Sequence, residues 1–404
     1  MSAWSSREPR KSREPRKSLP SVVVDASPIL DRSGMRGIGR YVYDLLRALE
    51  SVRDEWSERL DIAAVTELGW FGTGVLSRDL AGAAEDLRAR RGSERDSIVK
   101  KRRMSLGAVA RSADLLHLAE PIGMPLVKLS RWGVTCYDLI PLRMPQEYLG
   151  GSRVRVLRRK LEDYVLYHRA DVIVAISERT RTDVVSMLSL PPDRVLHVPT
   201  GIDLPHWRAA PTSSDPEARR RGGAGARPYV LFVGEGDQRK GVATMMAAVA
   251  LVRRELDIEL VWVGQLPPEH LARFQKQARA AGLEGSVRFP GFVADEDLGA
   301  LYRGAIAHVF LSVLEGFGLP VAEAMAAGCP VVVVRGSGCD EIAGDAGCVV
   351  PPGDAAAAAR AILALARDPE DRACRVRKGS ARIEVYDRKA MARGYVEAWE
   401  RALR

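Results

Sequence analysis

With 404 residues the chain is too long for one ordinary core and suits two domains, and its 46% apolar content is that of a globular protein. It holds no apolar run long enough for a spanning helix, and its charged N-terminus lacks the apolar stretch of a secretory signal, so a cytoplasmic protein is expected. The net charge of +9 is carried partly by a basic tail, residues 1–20, where Ser6–Lys11 (SREPRK) repeats as Ser12–Lys17, and disorder is expected there.

In chain order, Ser21–Asp25 reads as a first strand. A loop through Gly34 to Arg40 leads to a helix from about Tyr41 to Glu50, and Asp61–Val65 is a second apolar piece. Residues 72–105, with the basic run Lys100–Arg103, read as irregular or partly helical. Strands are expected at Leu115–Leu118, Gly133–Cys136, Val172–Ala175 and Arg194–Val198. Between them, Val154, Leu157, Leu161 and Val165 recur at helical spacing while Arg155, Arg158, Arg159 and Lys160 project elsewhere. Such a helix either lies on an anionic membrane surface or turns its apolar side to the core, and the second is the expectation preferred here. From Leu204 to Arg227 the composition shifts to Pro, Ser, Arg and Gly, as in a linker. The pattern then restarts with strands at Tyr229–Val233, Glu259–Val263, Val287–Phe289, Ala307–Leu311 and Pro330–Val334, with helices between them. The last helix, about Lys389 to Leu403, is amphipathic through Met391, Tyr395 and Trp399. Strands alternating with helices predict an α/β fold of two Rossmann-like, doubly wound parallel sheets, with ligands at the carboxyl ends of the strands.

Three loops follow strands and point to chemistry. Glu315-Gly-Phe-Gly-Leu-Pro-Val-Ala-Glu323 places two carboxylates about a glycine turn and a helix, with Pro320 at the helix start and Gly328 at its end. Free amides at such a turn attract anions, phosphate above all. The loop Gly234–Gly241 has neither P-loop nor GxGxxG spacing, and its content is Arg239 and Lys240 at a helix N-terminus, able to neutralise a diphosphate. Gly37 and Gly39 open a helix and let the first domain approach the same phosphates. Asp295-Glu-Asp297 reads as the capped acidic start of a helix, not as a metal site. His117 and His308 read as satisfied core residues. Five cysteines without CxxC or metal spacing are expected to be reduced thiols.

These segments, together with Tyr137-Asp138-Leu-Ile-Pro141, Val174-Ala-Ile-Ser177, Val198-Pro-Thr-Gly201, Phe289-Pro-Gly-Phe-Val293 and Asp340–Gly347, make the chain resemble the retaining glycosyltransferases of family 4, across about residues 20 to 400. The resemblance implies the GT-B fold and no metal or other cofactor. It implies a nucleotide-diphosphate sugar held mainly by the second domain and a glycan or lipid-linked glycan acceptor chosen by the first. Carried over, Glu315 contacts the donor sugar and Glu323 the ribose hydroxyls. Lys240 with an arginine binds the diphosphate, and Val293 meets the base through its main chain. Gly316, Phe317, Gly318 and Leu319 line the sugar-phosphate turn, Gly37 and Gly39 approach from the first domain, and Tyr137 and Asp138 lie near the sugar. The expected division is a tail at 1–20, an acceptor domain at 21–204, a linker at 205–227, a nucleotide-sugar domain at 228–385 and a helix at 386–404 crossing back.

The chain departs from the family in three places. Tyr137 stands where a His is frequent, Glu235 follows Gly234 where an Arg is frequent, and Thr200 replaces an Asn. Arg239 either takes over the phosphate role or points away. The other readings are an epimerase or phosphorylase on the same scaffold, a sugar-nucleotide-binding protein without turnover, and a basic scaffold acting on nucleic acid. The last lacks any nucleic-acid motif, so no nucleic-acid partner is expected.

Overall fold

A computed structural model describes residues 19–30, 37–66, 69–72, 111, 113–119 and 127–404. The repeat within 1–18, the Lys100–Arg103 run and most of 72–105 lie outside the described residues.

Among the described residues there are two sheets. The first has seven strands in the order β3-β2-β1-β4-β5-β6-β7: β1 (Ser21–Asp25), β2 (Asp61–Thr66), β3 (Gly69–Gly72), β4 (Leu115–Leu118), β5 (Arg131–Cys136), β6 (Val172–Ala175) and β7 (Val195–His197). β3 runs antiparallel to β2 and the other pairs are parallel. The second has six parallel strands in the order β10-β9-β8-β11-β12-β13: β8 (Tyr229–Val233), β9 (Glu259–Val263), β10 (Val287–Gly291), β11 (His308–Phe310), β12 (Val331–Val334) and β13 (Cys348–Val350). Both sheets start a new run in each direction from a central strand, which is the doubly wound arrangement expected of this α/β chain. Strands buried on both faces, such as β6 and β12, are continuous Val/Ile/Ala runs rather than alternating ones.

Three expectations change. The first helix is Gly37–Ser51, so Gly37 and Gly39 belong to its opening turn, because Tyr41, Leu45 and Leu49 set the buried stripe and the glycines do not interrupt it. The stretch 205–227 is not plain linker: Asp215–Arg221 is helical, and Arg303 of the helix Asp295–Gly304 pairs with the buried Asp215 at 2.8 Å. The helix Arg153–Arg169 does not turn its apolar positions inward. Val154 is 77% exposed, Leu157 69% and Leu161 60%, while Asp163 and Tyr167 face the protein. Arg159 pairs with Asp163 at 2.7 Å along the same helix, and the packing of Tyr167 into the core of the first sheet, not the aliphatic stripe, marks the face turned to the protein.

The last helix, Arg388–Leu403, lies on the first sheet. Tyr395 Oη is 2.9 Å from Tyr41 Oη and 2.7 Å from Thr135 Oγ1, and Thr135 Oγ1 is 2.9 Å from His117 Nε2. Backbone bonds tie Ile202 to Tyr386 and Arg388, and a Cβ on Gly201 would stand 2.3 Å from the Arg388 Cα. His117 and His308 are fully buried, and burial lowers both imidazoles to about 3. His117 Nδ1 and His308 Nε2 have no hydrogen-bond partner among the described residues, so among these "satisfied" holds for one nitrogen of each ring only. The five cysteines are unpaired, with Cys136, Cys329 and Cys339 buried.

Candidate active site

The site is built from two strand-to-helix loops of the second sheet. The loop after β8 ends in a short 3-10 turn, Gln238–Lys240, before the helix Val242–Val252. Arg239 and Lys240 therefore sit on that turn and not in the first turn of the helix. Gly241 makes the turn possible: its φ is +65°, and a Cβ there would meet the Leu311 carbonyl oxygen at 2.1 Å. The loop after β11 carries Glu315, and the helix Leu319–Ala326 follows, with Gly318 at φ +111° and Pro320 at its second position. The Arg239 carbonyl accepts from Val313 N at 2.8 Å and Ser312 Oγ at 3.1 Å, which zips the two loops together.

The result is a three-charge cluster in which the half-buried Arg239 and Lys240 enclose the buried Glu315. Lys240 Nζ donates to Glu315 Oε1 at 2.7 Å, and Arg239 Nη1 pairs with Glu315 Oε2 at 2.5 Å and donates to the Leu314 carbonyl at 2.9 Å. Lys240 Nζ also stands 4.8 Å over the Phe310 ring. Burial opposes the charge on Glu315, but Lys240 and Arg239 outweigh it and hold the carboxyl below its usual range. Burial likewise opposes the charge on Arg239, and Glu315 overcomes it. The Glu315 amide donates to the Ser337 carbonyl at 2.7 Å, and a Cβ on Gly338 would meet the Glu315 carbonyl oxygen at 2.7 Å. Glu235 is exposed, so Arg239, and not the residue after Gly234, is the arginine that turns inward.

The first domain closes over this cluster. A Cβ on Gly316 would lie 2.1 Å from the Tyr137 carbonyl oxygen and 3.1 Å from the Asp138 Cβ. Ser177 Oγ donates to the Gly316 carbonyl at 2.5 Å, and Thr180 Oγ1 donates to it at 3.2 Å. Burial raises the Asp138 carboxyl, partly offset by its backbone bond from Ile140 and by Arg239. Tyr137 packs edge-on against Tyr41, with ring centroids 5.1 Å apart. Phe317 is buried edge-on against Tyr386, and Leu319 and Glu323 are half-buried.

A second charged group surrounds Glu323. Arg40, just beyond Gly39, pairs with Asp44 at 2.8 Å and reaches Asp295 at 3.0 Å across the two domains. Burial pushes Glu323 up to about 7, and Arg40 partly offsets this while Asp295 and Asp44 add to it. Tyr302 Oη donates to Glu323 at 3.4 Å. Asp295 is thus a domain-bridging partner at its helix start. It does not cap that helix, whose N-cap is Ala294, and Asp297 pairs with Arg221 at 2.6 Å. Val293, buried, stands two residues before Asp295 on the loop after β10.

Sequence reasoning placed Glu315, Lys240 and Arg239 in one crevice, and the structure brings them into contact. It missed Arg40, Ser177 and Glu341. Glu341 accepts from the Glu178 and Arg179 amides at 3.0 and 3.2 Å, capping the helix Glu178–Leu188 from the other domain. The available signal was the placement of Arg40 directly beside the glycine pair and of Glu341 beside Asp340 in recognised segments.

Two family profiles match the chain: Glycosyl transferases group 1 over residues 214–382 and Glycosyltransferase Family 4 over residues 84–206. The O-antigen chain mannosyltransferase B of Escherichia coli is 29% identical over 261 residues, covering 64% of this chain and 67% of that one. The phosphatidyl-myo-inositol mannosyltransferase of Mycolicibacterium smegmatis is 32% identical over 219 residues, covering 53% of each, so the match spans about half of that relative. Among solved structures, the sucrose-phosphate synthase of Thermosynechococcus elongatus superposes with a TM-score of 0.71 at 19% identity over 95% of this chain and 98% of that one. Anabaena HepE in complex with UDP and glucose superposes at 0.69 and 17% identity, over 95% and 100%. These likenesses show the GT-B fold.

Proposed function

We propose that this chain, which belongs to the group 1, family 4 glycosyltransferases, moves a hexose, mannose or a close relative, from a nucleotide-diphosphate sugar to a glycan or lipid-linked glycan with retention at the anomeric carbon. The observation that carries the reading is the convergence of Lys240 and Arg239 on Glu315 at the glycine turn. The mannosyltransferase names of the sequence relatives support the choice of sugar.

In this reading Lys240, Arg239 and the amides of Gly316 and Gly318 stabilise the leaving diphosphate, with Gly37 and Gly39 approaching from the first domain. Donors preorganised where negative charge develops supply the largest catalytic contribution. Glu315 orients the sugar hydroxyls, Glu323 accepts from the ribose, and Val293 meets the base. Phe317, Leu319, Tyr137 and Asp138 shape the sugar pocket. The bond from the anomeric carbon to the diphosphate oxygen breaks, the acceptor oxygen bonds to that carbon on the same face, and its proton passes to the departing diphosphate. No protein nucleophile takes part.

The acceptor domain spans 21–204, the connecting stretch 205–227, the nucleotide-sugar domain 228–385 and the returning helix 386–404. The enzyme works in the cytoplasm, in peripheral contact with an anionic inner membrane face. Thermal-shift screening against GDP, UDP and their hexose conjugates, followed by transfer assays, tests the donor assignment, because a ligand that binds the native state raises stability by mass action. A chain that no nucleotide sugar stabilises refutes it.

A further inference from the structure

We propose that Tyr148 is a positioning residue of the transfer reaction: its hydroxyl, supplied by the first domain, holds the Arg239 guanidinium at the leaving diphosphate. This role rests on the transferase reading above. Tyr148 sits on the short helix Pro145–Leu149, which packs against the helices Ile140–Arg143 and Arg153–Arg169. Pro145 opens that helix, and Gly150, at φ +57°, ends it and turns the chain toward Arg153. A short helix fixed at both ends thus carries a first-domain hydroxyl to the donor loop of the second.

The contacts form a chain through Arg239. Its Nε donates to Tyr148 Oη at 3.0 Å, while Nη1 donates to the Leu314 carbonyl at 2.9 Å and pairs with Glu315 at 2.5 Å. Tyr148 Oη donates in turn to Asp237 Oδ2 at 2.5 Å, and that carboxylate oxygen stands 3.3 Å from Arg239 Nε. Burial and the bond to Asp237 raise the phenol to about 12, with Arg239 opposing, so the hydroxyl stays protonated and both donates and accepts. Among the described residues Arg239 Nη2 makes no hydrogen bond, and a planar fork fixed at Nε and Nη1 leaves that nitrogen for an oxygen of the diphosphate.

The hydroxyl, and not the ring, is the engaged part of Tyr148. The residue is 38% exposed and belongs to neither hydrophobic core. Without the hydroxyl, Asp237 becomes the nearest acceptor for Nε, and the guanidinium follows that carboxylate instead of the leaving group. Displacing a preorganised cation lowers turnover because its position, and not its charge alone, stabilises the developing anion. The arrangement also ties chemistry to closure, since Arg239 is set in place only while the first domain lies against the second.

Tyr148→Phe keeps the ring and removes both hydrogen bonds. In a transfer assay its kcat should fall on the order of tenfold, with the KM for donor changed by no more than about twofold and the melting temperature unaltered. In an Arg239→Lys background, which keeps the charge but lacks the fork, adding Tyr148→Phe should cost no more than about a further twofold. Lys240 still holds Glu315 in that background, so the fold should survive. Wild-type kcat in Tyr148→Phe overturns the proposal, as do losses that multiply in the double variant. A lowered melting temperature with a raised KM and an unchanged kcat marks a domain contact without a role in the reaction and overturns it too. Calorimetric titration with GDP and UDP separates the two possible failures. A wild type that binds neither and transfers from no nucleotide sugar sinks the transferase reading and this proposal with it, whereas an active wild type equalled by Tyr148→Phe sinks this proposal alone.

Discussion

Lys240 Nζ lies 2.7 Å from Glu315 Oε1, so the cation assigned to the diphosphate and the carboxylate assigned to the sugar are bonded to each other. Arg239 takes the second oxygen of the same carboxylate. A diphosphate must therefore share or displace Glu315 as partner of both cations.

Glu315→Gln is expected to tighten nucleoside diphosphate binding by roughly tenfold, since two charge-assisted bonds no longer compete for Lys240 and Arg239. Turnover should fall by about a hundredfold or more. Calorimetric titration with GDP and UDP beside a transfer assay checks both. An unchanged or weaker affinity would mean that the ion pairs persist in the complex.

Lys240→Ala leaves Glu315 bonded to Arg239, so the fold should survive. Losing one charged contact to the leaving group is expected to lower turnover on the order of ten- to a hundredfold, at about 1.5–3 kcal/mol. Wild-type turnover in this variant would contradict the phosphate assignment.

Glu323 gives a pH signature. Burial lifts its carboxyl from the ordinary 4.5 to about 7, with Arg40 opposing and Asp295 and Asp44 adding. Between those values the unfolded chain has released the proton and the folded one keeps it, so stability falls as pH rises through the window. Glu323→Gln lacks this loss, and its stability relative to wild type should rise by on the order of 1–3 kcal/mol between pH 4.5 and pH 8. Urea unfolding of both proteins at the two ends of that window measures it; parallel profiles would refute the burial effect. Donor affinity should tighten over the upper part of the window as the carboxylate forms. Arg40→Gln should move that midpoint to higher pH and Arg40→Lys restore it.

Gly316→Ala tests domain closure. Its Cβ would stand 2.1 Å from the Tyr137 carbonyl oxygen, a backbone atom that cannot turn aside. Overpacking of this kind costs about 1–3 kcal/mol. The expected readout is a raised KM for donor with little change in secondary structure by circular dichroism. A wild-type KM would show that the two domains meet elsewhere.

Gly241→Ala should disturb the Arg239–Lys240 turn at its root, because φ is +65° and the Leu311 carbonyl blocks a Cβ at 2.1 Å. A lowered melting temperature, together with loss of nucleotide binding, is expected. Retained binding would separate the turn from the site.

The alternation of strands and helices, the glycine turns and the spacing of Glu315 and Glu323 were legible because each is a local property of the chain. Backbone dihedrals, helix ends and strand burial are set within a few residues. The rotation of the helix Arg153–Arg169 was not legible. Its apolar spacing predicts an inward stripe, yet Tyr167, packed into the core of the first sheet with Trp132 and Cys136, and the buried Asp163 occupy the inner face and leave that stripe outward. The helical content of 215–221 was hidden for the same reason, since Arg303, far along the chain, fixes Asp215.

By itself the sequence determined which loops end in glycine, which residues carry charge there and that two doubly wound sheets alternate with helices, but not that the edge strand Gly69–Gly72 runs antiparallel. Only tertiary structure decided that Glu315 holds Lys240 and Arg239 at once, that Arg40 bridges to Asp295 beside Glu323, and that Gly316 abuts Tyr137. The reason is range: periodicity acts over one or two turns, whereas these contacts join residues 75 to 255 positions apart, whose approach depends on how the sheets and domains pack.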